Sequence, residues 1–561
     1  MLKVENLSVN FGNINVLNQV CFTVNKGEIL GVVGESGSGK SITSLSLMGL
    51  LPVQATIEGG SAEFSLINES SVNLLSLDEK GFQQIRGKHI AMIFQEPQTC
   101  LNPSMRCGKQ LLEAVLLNTE LKGGVAKIKC LELLAEMQLP NPEKVYNSFP
   151  HQLSGGQKQR VMIAMALSGS PELLIADEPT TALDVTVQKG LLQLLKSLRE
   201  KYQVGMIFIS HDLGLISEIA DRVIVLQYGK IVEQGTVKQI FHAPQNPYTK
   251  GLLACRPPLN RKPNRLLTVE DFLAGGSIPN KIVNQKSDTR ISNNLIYSAK
   301  SIITSFIIRK NLWGKPIRQF KAVDNVSLEL FEGETLGVVG ESGSGKTTLG
   351  RTLLHLIQNQ SGTITYKGVD LNQMNNQFRH QFRKEVQLIF QDPYSSLNPR
   401  KTVGQAITEP LKVHRICRNE KERKERVLDL LMRVSLPPES YYRYPHEFSG
   451  GQRQRIVIAR SLAVNPRVII CDEIVSALDV SVQAQVLNLL KDLKEQLDLT
   501  LLFISHDLSV VKYISDRILV LRNGELIETG TSDEIFNNSK SDYTKNLIDS
   551  IPGKSTIFGS K

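Results

Sequence analysis

Short apolar runs rich in β-branched residues punctuate the chain, among them Ile29 to Val33, Leu173 to Ala176, Met206 to Ile209 and Leu501 to Ile504. Longer stretches of helical periodicity separate them. Strand-length apolar runs alternating with helical patterns predict an α/β fold with a largely parallel sheet.

The pattern occurs twice. GVVGESGSGKS, Gly31 to Ser41, returns as GVVGESGSGKT, Gly337 to Thr347, and the later segments IFQEP and ISHDL return as IFQDP and ISHDL. Lys40 and Lys346 are 306 positions apart, Gln95 and Gln391 are 296 apart, and Ser154/Ser449, Asp177/Asp472 and His211/His506 are each 295 apart. A constant order at nearly constant spacing is the signature of a duplicated unit. The ten-residue change places extra chain in the first copy between Gly49 and Gln95, where SAEFSLINESSVNLLSLDEK reads as a surface loop. The expected boundaries are a first domain over 1–254, a linker over 255–294 and a second domain over 295–561. The linker is rich in Pro, Asn, Lys and Arg, so few core contacts are expected from it.

Length and composition narrow the class. At 561 residues with 41% hydrophobic and 21% charged positions, the chain can bury large cores and is not compositionally disordered. A net charge of +10 is modest for this size and suits phosphates, nucleic acid or an anionic surface without choosing among them. Seven scattered cysteines with no CxxC pair favour a reducing compartment and no zinc site. No export signal opens the chain and no run of about 20 apolar residues follows, so no membrane span is expected.

The repeated segments carry phosphate chemistry. In each copy an apolar strand enters a glycine-rich turn and then a helix, the context a phosphate-binding loop requires. Gly34, Gly37 and Gly39, and Gly340, Gly343 and Gly345, let backbone N–H groups converge on phosphate oxygens at a helix N-terminus. Lys40 and Lys346 supply full charge, and Ser41 and Thr347 offer hydroxyls to Mg²⁺. The strands LLIADE and VIICDE end in paired acids. Asp177 and Asp472, at the C-terminal ends of parallel strands, can reach the Mg²⁺ shell, whereas Glu178 and Glu473 would orient the attacking water. LSGGQKQR and FSGGQRQR combine a small hydroxyl and two glycines with a helix start, a further place for an anion.

Phosphate loop, glutamine, SGGQ segment, paired acids, SALD-type loop and a histidine after a strand, in that order and twice, resemble the ATP-binding-cassette ATPases. The resemblance implies in each copy a P-loop NTPase with a RecA-like parallel-sheet core, an antiparallel β subdomain and a helical subdomain. It further implies that the two cassettes pair head to tail within one chain, ATP lying between the loop of one and the SGGQ of the other. One site would join Gly34, Glu35, Ser36, Gly37, Ser38, Gly39, Lys40, Ser41, Ile42, Gln95, Asp177, Glu178 and His211 with Ser449, Gly450, Gly451 and Gln452. The other would join Gly340, Glu341, Ser342, Gly343, Ser344, Gly345, Lys346, Thr347, Thr348, Gln391, Asp472, Glu473 and His506 with Ser154, Gly155, Gly156 and Gln157. Gln95 and Gln391 would also reach the metal, and both sites are expected to hydrolyse ATP. Adenine should stack on an aromatic near each copy's start. Phe11 is assigned in the first copy, and Phe306 in the second over Trp313 and Phe320. Ile474 for Pro179, Met165 for Arg460 and Cys471 before Asp472 remove no catalytic group.

Other segments narrow the resemblance. The GESGSGK[ST] loops, the FQEPQTCLNP and FQDPYSSLNP stretches, and the NPYTK and DYTK segments are similar to dipeptide and oligopeptide importer ATPases, here two fused into one. The implied partners are two separate integral-membrane permease subunits, docked on about Glu96 to Lys109 and Asp392 to Gln405, and an extracytoplasmic solute-binding protein. The implied location is the cytoplasmic face of the bacterial inner membrane. Only Cys255 lies where some relatives carry an iron–sulfur cluster, so none is expected. The alternative, a ribosome-associated ABC-F-type translation factor, would carry a long charged helical linker, and residues 256 to 294 contain no sustained heptad.

Overall fold

A computed structural model describes residues 1–66, 71–95, 97–181, 183–274, 294–310, 316–476 and 478–554. The linker's 275–293, together with Glu96 and Trp313, lie outside the described residues. The chain forms two compact units: 1–253 with 269–274 and 552–554, and 254–268 with 294–551.

In the first unit the strands are β1 (Leu2–Phe11), β2 (Ile14–Val24), β3 (Ile29–Val33), β4 (Ala55–Phe64), β5 (Val72–Asn73), β6 (Ile90–Ile93), β7 (Leu173–Asp177), β8 (Gly205–Ile209), β9 (Arg222–Gln227) and β10 (Lys230–Thr236). They make a four-stranded antiparallel sheet, β2-β1-β4-β5, and a six-stranded sheet, β10-β9-β3-β8-β7-β6. Strands β6, β7, β8, β3 and β9 are parallel, and β10 closes the edge antiparallel to β9. All five residues of β3, β7 and β8 are buried, which is why they read as continuous apolar runs. One core joins the two sheets, with Leu2, Val4, Leu7 and Val9 of β1 facing Leu30, Val32, Ile175 and Ile207. Burying each such side chain contributes roughly 1.5–3 kcal/mol. On the other face of β3, Gly31 lies under the helix Leu213–Ile219, and a Cβ there would meet Ile216 at 2.8 Å.

The second unit repeats this plan with β11 (Leu295–Lys310), β12 (Pro316–Phe331), β13 (Thr335–Val339), β14 (Ser361–Tyr366), β15 (Val369–Asp370), β16 (Val386–Ile389), β17 (Val468–Asp472), β18 (Thr500–Ile504), β19 (Arg517–Arg522) and β20 (Glu525–Thr531). Its sheets run β12-β11-β14-β15 and β16-β17-β18-β13-β19-β20. Each unit also carries a helical region, between β6 and β7 in the first (Cys107–Asn118, Gly123–Glu136 and Gly155–Ala166) and between β16 and β17 in the second (Val403–Val413, Glu420–Arg433 and Gly450–Leu462). Among the described residues no helix is long and apolar enough to cross a membrane.

Two expectations need correction. The inserted segment of the first copy is not all loop: Ser61 to Phe64 complete β4, which has 10 residues against 6 in β14, Val72–Asn73 form β5, and Leu74–Ser76 make a short 3-10 turn. Ser61 to Phe64 pair with Glu5 to Leu2 of β1 as Thr363 to Tyr366 pair with Lys300 to Tyr297 of β11, so this part of the segment belongs to the repeated plan. Residues 254–268 are also more than a surface run. Leu266 donates its N–H to Asn488 Oδ1 at 2.9 Å, and Asn488 Nδ2 returns a bond to Leu266 O at 2.8 Å. Lys262 Nζ donates to Ser515 O at 2.7 Å, and Cys255, Leu266 and Thr268 are buried. A side-chain amide 222 positions away supplies the pairing that a Pro-rich segment lacks locally.

Candidate functional site

Both phosphate loops leave the central strand of their parallel sheet, β3 or β13, and lead into the helices Lys40–Leu47 and Lys346–Leu353. Gly39 and Gly345 precede those helices at φ 104° and 100°, a left-handed conformation costly for other residues. Lys40 Nζ donates to Gly34 O and Glu35 O, each at 2.8 Å, and Lys346 Nζ donates to Gly340 O and Glu341 O at the same distances. Each lysine is buried, with its ammonium held on loop carbonyls. Ser36, Gly37, Ser342 and Gly343 form the exposed crests, while Ser38 and Ser344 turn inward with buried hydroxyls that meet no partner among the described residues. Ile42 and Thr348 are half-buried in the first helical turn.

The acids stand where the strands end. Asp177 closes β7, where the Ser41 hydroxyl favours its ionised form, and Thr347 Oγ1 donates to Asp472 Oδ1 at 2.9 Å. Burial lifts both carboxyls above the ordinary aspartate range. Glu178 and Glu473 follow at φ 47° and 49°, strained backbone for a non-glycine residue that turns each side chain off the strand axis. Each is tied to the neighbouring strand by its own N–H, bonded to Ile209 O at 3.0 Å or Ile504 O at 2.9 Å.

Three side chains meet at each glutamate. Gln95 Nε2 donates to Glu178 Oε2 at 2.9 Å and His211 Nδ1 lies 3.1 Å from Glu178 Oε1. Gln391 Nε2 donates to Glu473 Oε2 at 2.9 Å, with His506 Nδ1 3.3 Å from the same oxygen. Burial pushes both glutamates up, but the paired histidine and the nearby lysine more than offset it and hold them below the usual range. Burial pushes the histidines down, and their glutamates raise them above the ordinary imidazole. The copies also differ after the glutamate: Thr181 Oγ1 adds a bond to Glu178 Oε2 at 3.0 Å, whereas Ser476 Oγ donates to the Glu473 backbone oxygen.

Ser154 and Ser449 cap the helices Gly155–Ala166 and Gly450–Leu462. Each hydroxyl accepts the N–H of Gln157 or Gln452, and each glutamine Oε1 accepts the serine N–H in return. Gly155 and Gly450 stay open, but Cβ atoms at Gly156 and Gly451 would meet Val187 at 2.6 Å and Val482 at 2.1 Å. Phe11 pairs with Ile14 across β1 and β2, and Phe306 with Phe320 across β11 and β12, so the registers place Phe306 in the position of Phe11. Phe306 is 44% exposed. Motif reading missed the strained glutamate backbones, the Thr181 bond and two tyrosines, Tyr248 and Tyr543, whose hydroxyls accept the N–H of Glu35 and Glu341. The repeated YT segments were the available signal for the last.

A loop that cradles anions, a buried lysine, a hydroxyl–carboxylate pair and a polarised glutamate suit nucleoside triphosphate hydrolysis. The family model described as ABC transporter matches residues 17–181 and 323–476, and that described as oligopeptide/dipeptide transporter, C-terminal region, matches 232–271 and 527–555. Similar proteins include the glutathione import ATP-binding protein GsiA of Pectobacterium atrosepticum, 45% identical over 558 residues, 98% of this chain and 89% of that protein. The protein of the same name from Escherichia coli (strain K12) is 45% identical over 566 residues with the same coverage. A solved dimeric bacterial ABC transporter cassette is 28% identical with a TM-score of 0.38, covering 42% of this chain and 99% of that one. With both cassette models and both C-terminal models matched along one chain, the protein belongs to the ABC transporter family as a tandem-cassette ATPase subunit.

Proposed function

We propose that the chain energises import of peptide-class solutes, glutathione among them, through separate permease subunits on the cytoplasmic side of the membrane. The observation that carries this reading is the pair of C-terminal regions of the oligopeptide/dipeptide type, one behind each cassette, in a chain similar end to end to glutathione import ATP-binding proteins. Two membrane subunits and an extracytoplasmic binding protein complete the importer.

ATP would sit with its phosphates in each loop. Lys40 and Lys346 would turn from the loop carbonyls toward the β- and γ-phosphates, and the backbone N–H groups would bind the remaining oxygens. Asp177 Oδ1 is a buried carboxylate oxygen beside Ser41 without a hydrogen bond among the described residues, a donor set that fits a hard cation. Ser41 with Asp177, and Thr347 with Asp472, would hold a Mg²⁺ carried by the nucleotide, with Gln95 and Gln391 at its edge; the ion supplies charge neutralisation at the phosphates. Glu178 and Glu473, ionised and steered by His211 and His506, align the attacking water. Ser449, Gly450, Gly451 and Gln452 would complete the first site and Ser154, Gly155, Gly156 and Gln157 the second, so that ATP favours cassette closure and hydrolysis reverses it. Phe11 and Phe306 would stack adenine. The stretch from Asp392 to Gln405 would receive a permease helix. A cavity of about 190 Å³ lies between Leu356, Met374, Phe382 and Phe390, rimmed by Arg379 and Arg383.

Reconstitution tests the reading. The chain with its copurifying membrane proteins and binding protein, in liposomes, should accumulate labelled glutathione or a tripeptide in an ATP-dependent manner. Uptake that proceeds without the chain, or a chain that copurifies with ribosomal rather than membrane proteins, would contradict it.

A further inference from the structure

The segments that carry the YT sequences reach the phosphate loops. In the first unit the helix Pro247–Ala254 places Tyr248, wholly buried, so that its hydroxyl accepts the N–H of Glu35 at 3.1 Å. In the second the helix Asp542–Asp549 places Tyr543, whose hydroxyl accepts the N–H of Glu341 at 3.3 Å. The same loop residue gives its carbonyl to the lysine, Glu35 O to Lys40 Nζ and Glu341 O to Lys346 Nζ, each at 2.8 Å. One residue of the loop is thus held at its amide by tyrosine and at its carbonyl by lysine.

The tyrosines are themselves braced. Glu233 of β10 accepts the N–H groups of Gln245 at 2.7 Å and Asn246 at 3.2 Å, and Asn246 Oδ1 accepts the N–H of Tyr248 at 2.8 Å. Glu528 of β20 accepts the N–H groups of Lys540 at 2.7 Å and Ser541 at 3.2 Å, and Ser541 Oγ accepts the N–H of Tyr543 at 3.2 Å. The cap residue differs, Asn246 against Ser541, yet the chain of bonds from sheet edge to glutamate, turn, helix start, tyrosine and loop is the same. Arg522 covers the ring of Tyr543, 4.8 Å from its centroid.

We propose that Tyr248 and Tyr543 are positioning residues for the nucleotide, anchoring each phosphate loop when its lysine turns to phosphate. Each ammonium has three N–H donors and spends two on loop carbonyls; drawn toward the nucleotide, it shares them with phosphate oxygens and its grip on the loop loosens. The tyrosine bond lies on the opposite side of the Glu35 or Glu341 residue and is untouched by that shift. It keeps the loop amides aimed at the phosphates, so less ordering accompanies binding. This assigns the C-terminal regions a part in nucleotide affinity, and it rests on the reading of the loops as ATP sites.

Tyr248→Phe, Tyr543→Phe and the double variant of the full chain test it, each removing one hydroxyl and little volume. Binding of a fluorescent ATP analogue with Mg²⁺, the KM for ATP and kcat are measured, together with thermal unfolding of the nucleotide-free chain. The expected result is affinity weakened about fivefold at one of the two sites in each single variant and at both in the double, within the range of one neutral hydrogen bond. KM rises in step while kcat at saturating ATP falls less than twofold, the signature of lost uniform binding. Glu528→Gln, far from the nucleotide, should reproduce part of the Tyr543→Phe effect and add little to it, because both act through one chain of bonds. Affinity and KM unchanged within twofold in the double variant overturn the proposal, as does a lowered unfolding temperature with nucleotide parameters intact. A wild-type chain that neither binds nor hydrolyses ATP would instead overturn the reading of the loops themselves.

Discussion

Glu178 and Glu473 are constrained from several sides: a left-handed backbone, a glutamine, a histidine and a lysine within reach, and a carboxyl kept ionised despite burial. Such strain persists where the surrounding structure over-determines it, as at catalytic positions. Replacing both by glutamine keeps size and hydrogen bonding but removes the charge that orients water. ATP should remain bound while single-turnover hydrolysis slows by on the order of 10² to 10³ or more. The cysteines give an independent check of burial. Burial pushes the thiols of Cys107 and Cys130 up to about 11 and that of Cys471 up to about 12, whereas Cys21 and Cys100 are exposed. Because the thiolate is the nucleophile, iodoacetamide at pH 8 should modify Cys21 and Cys100 in the folded chain and spare the other three; mass mapping reads the difference. The identities of the acids, the lysines and the histidines were legible in the sequence because spacing and order carry them. The φ of Glu178, the bond from Thr181 and the reach of Tyr248 were not, since each depends on a contact made after distant strands assemble.

At the scale of elements, the SGGQ helices show how one turn serves two tasks. Ser154 and Ser449 cap their helices while their glycines let the helices lie against Val185–Tyr202 and Val480–Leu497. A methyl at Gly451 meets Val482 at 2.1 Å, but one at Gly450 has its nearest neighbour at 3.9 Å. Gly451→Ala should therefore destabilise its unit by about 1–3 kcal/mol through overpacking, and Gly450→Ala by well under 1 kcal/mol, a contrast that urea unfolding resolves. Motif reading anticipated the helix start at each serine. It misjudged the inserted segment of the first copy, because a polar, Ser-rich composition looks like loop even where Ser61 to Phe64 pair with β1.

Over the whole molecule, the duplication sets the architecture and the segments outside it tie each unit together. Residues 254–268 belong with the second unit through the reciprocal bonds between Leu266 and Asn488 and the contact from Lys262 to Ser515. Pro, Asn and Lys composition suggested a free linker, and nothing local reveals an amide donor and acceptor 222 positions away. Asn488→Ala strands a buried N–H and a buried carbonyl, so the second unit should lose about 2 kcal/mol. Limited proteolysis should then cut within 255–268 faster than in the parent chain.

The central proposal is that each cassette would lend its SGGQ helix to the nucleotide of the other, and ATP trapping in a chain with one working loop tests it. With Lys346→Ala disabling the second loop and Glu178→Gln halting hydrolysis, ATP is retained at the first loop alone. The account predicts that adding Ser449→Ala sharply reduces that retention while adding Ser154→Ala leaves it intact; loss with Ser154→Ala and none with Ser449→Ala would contradict it.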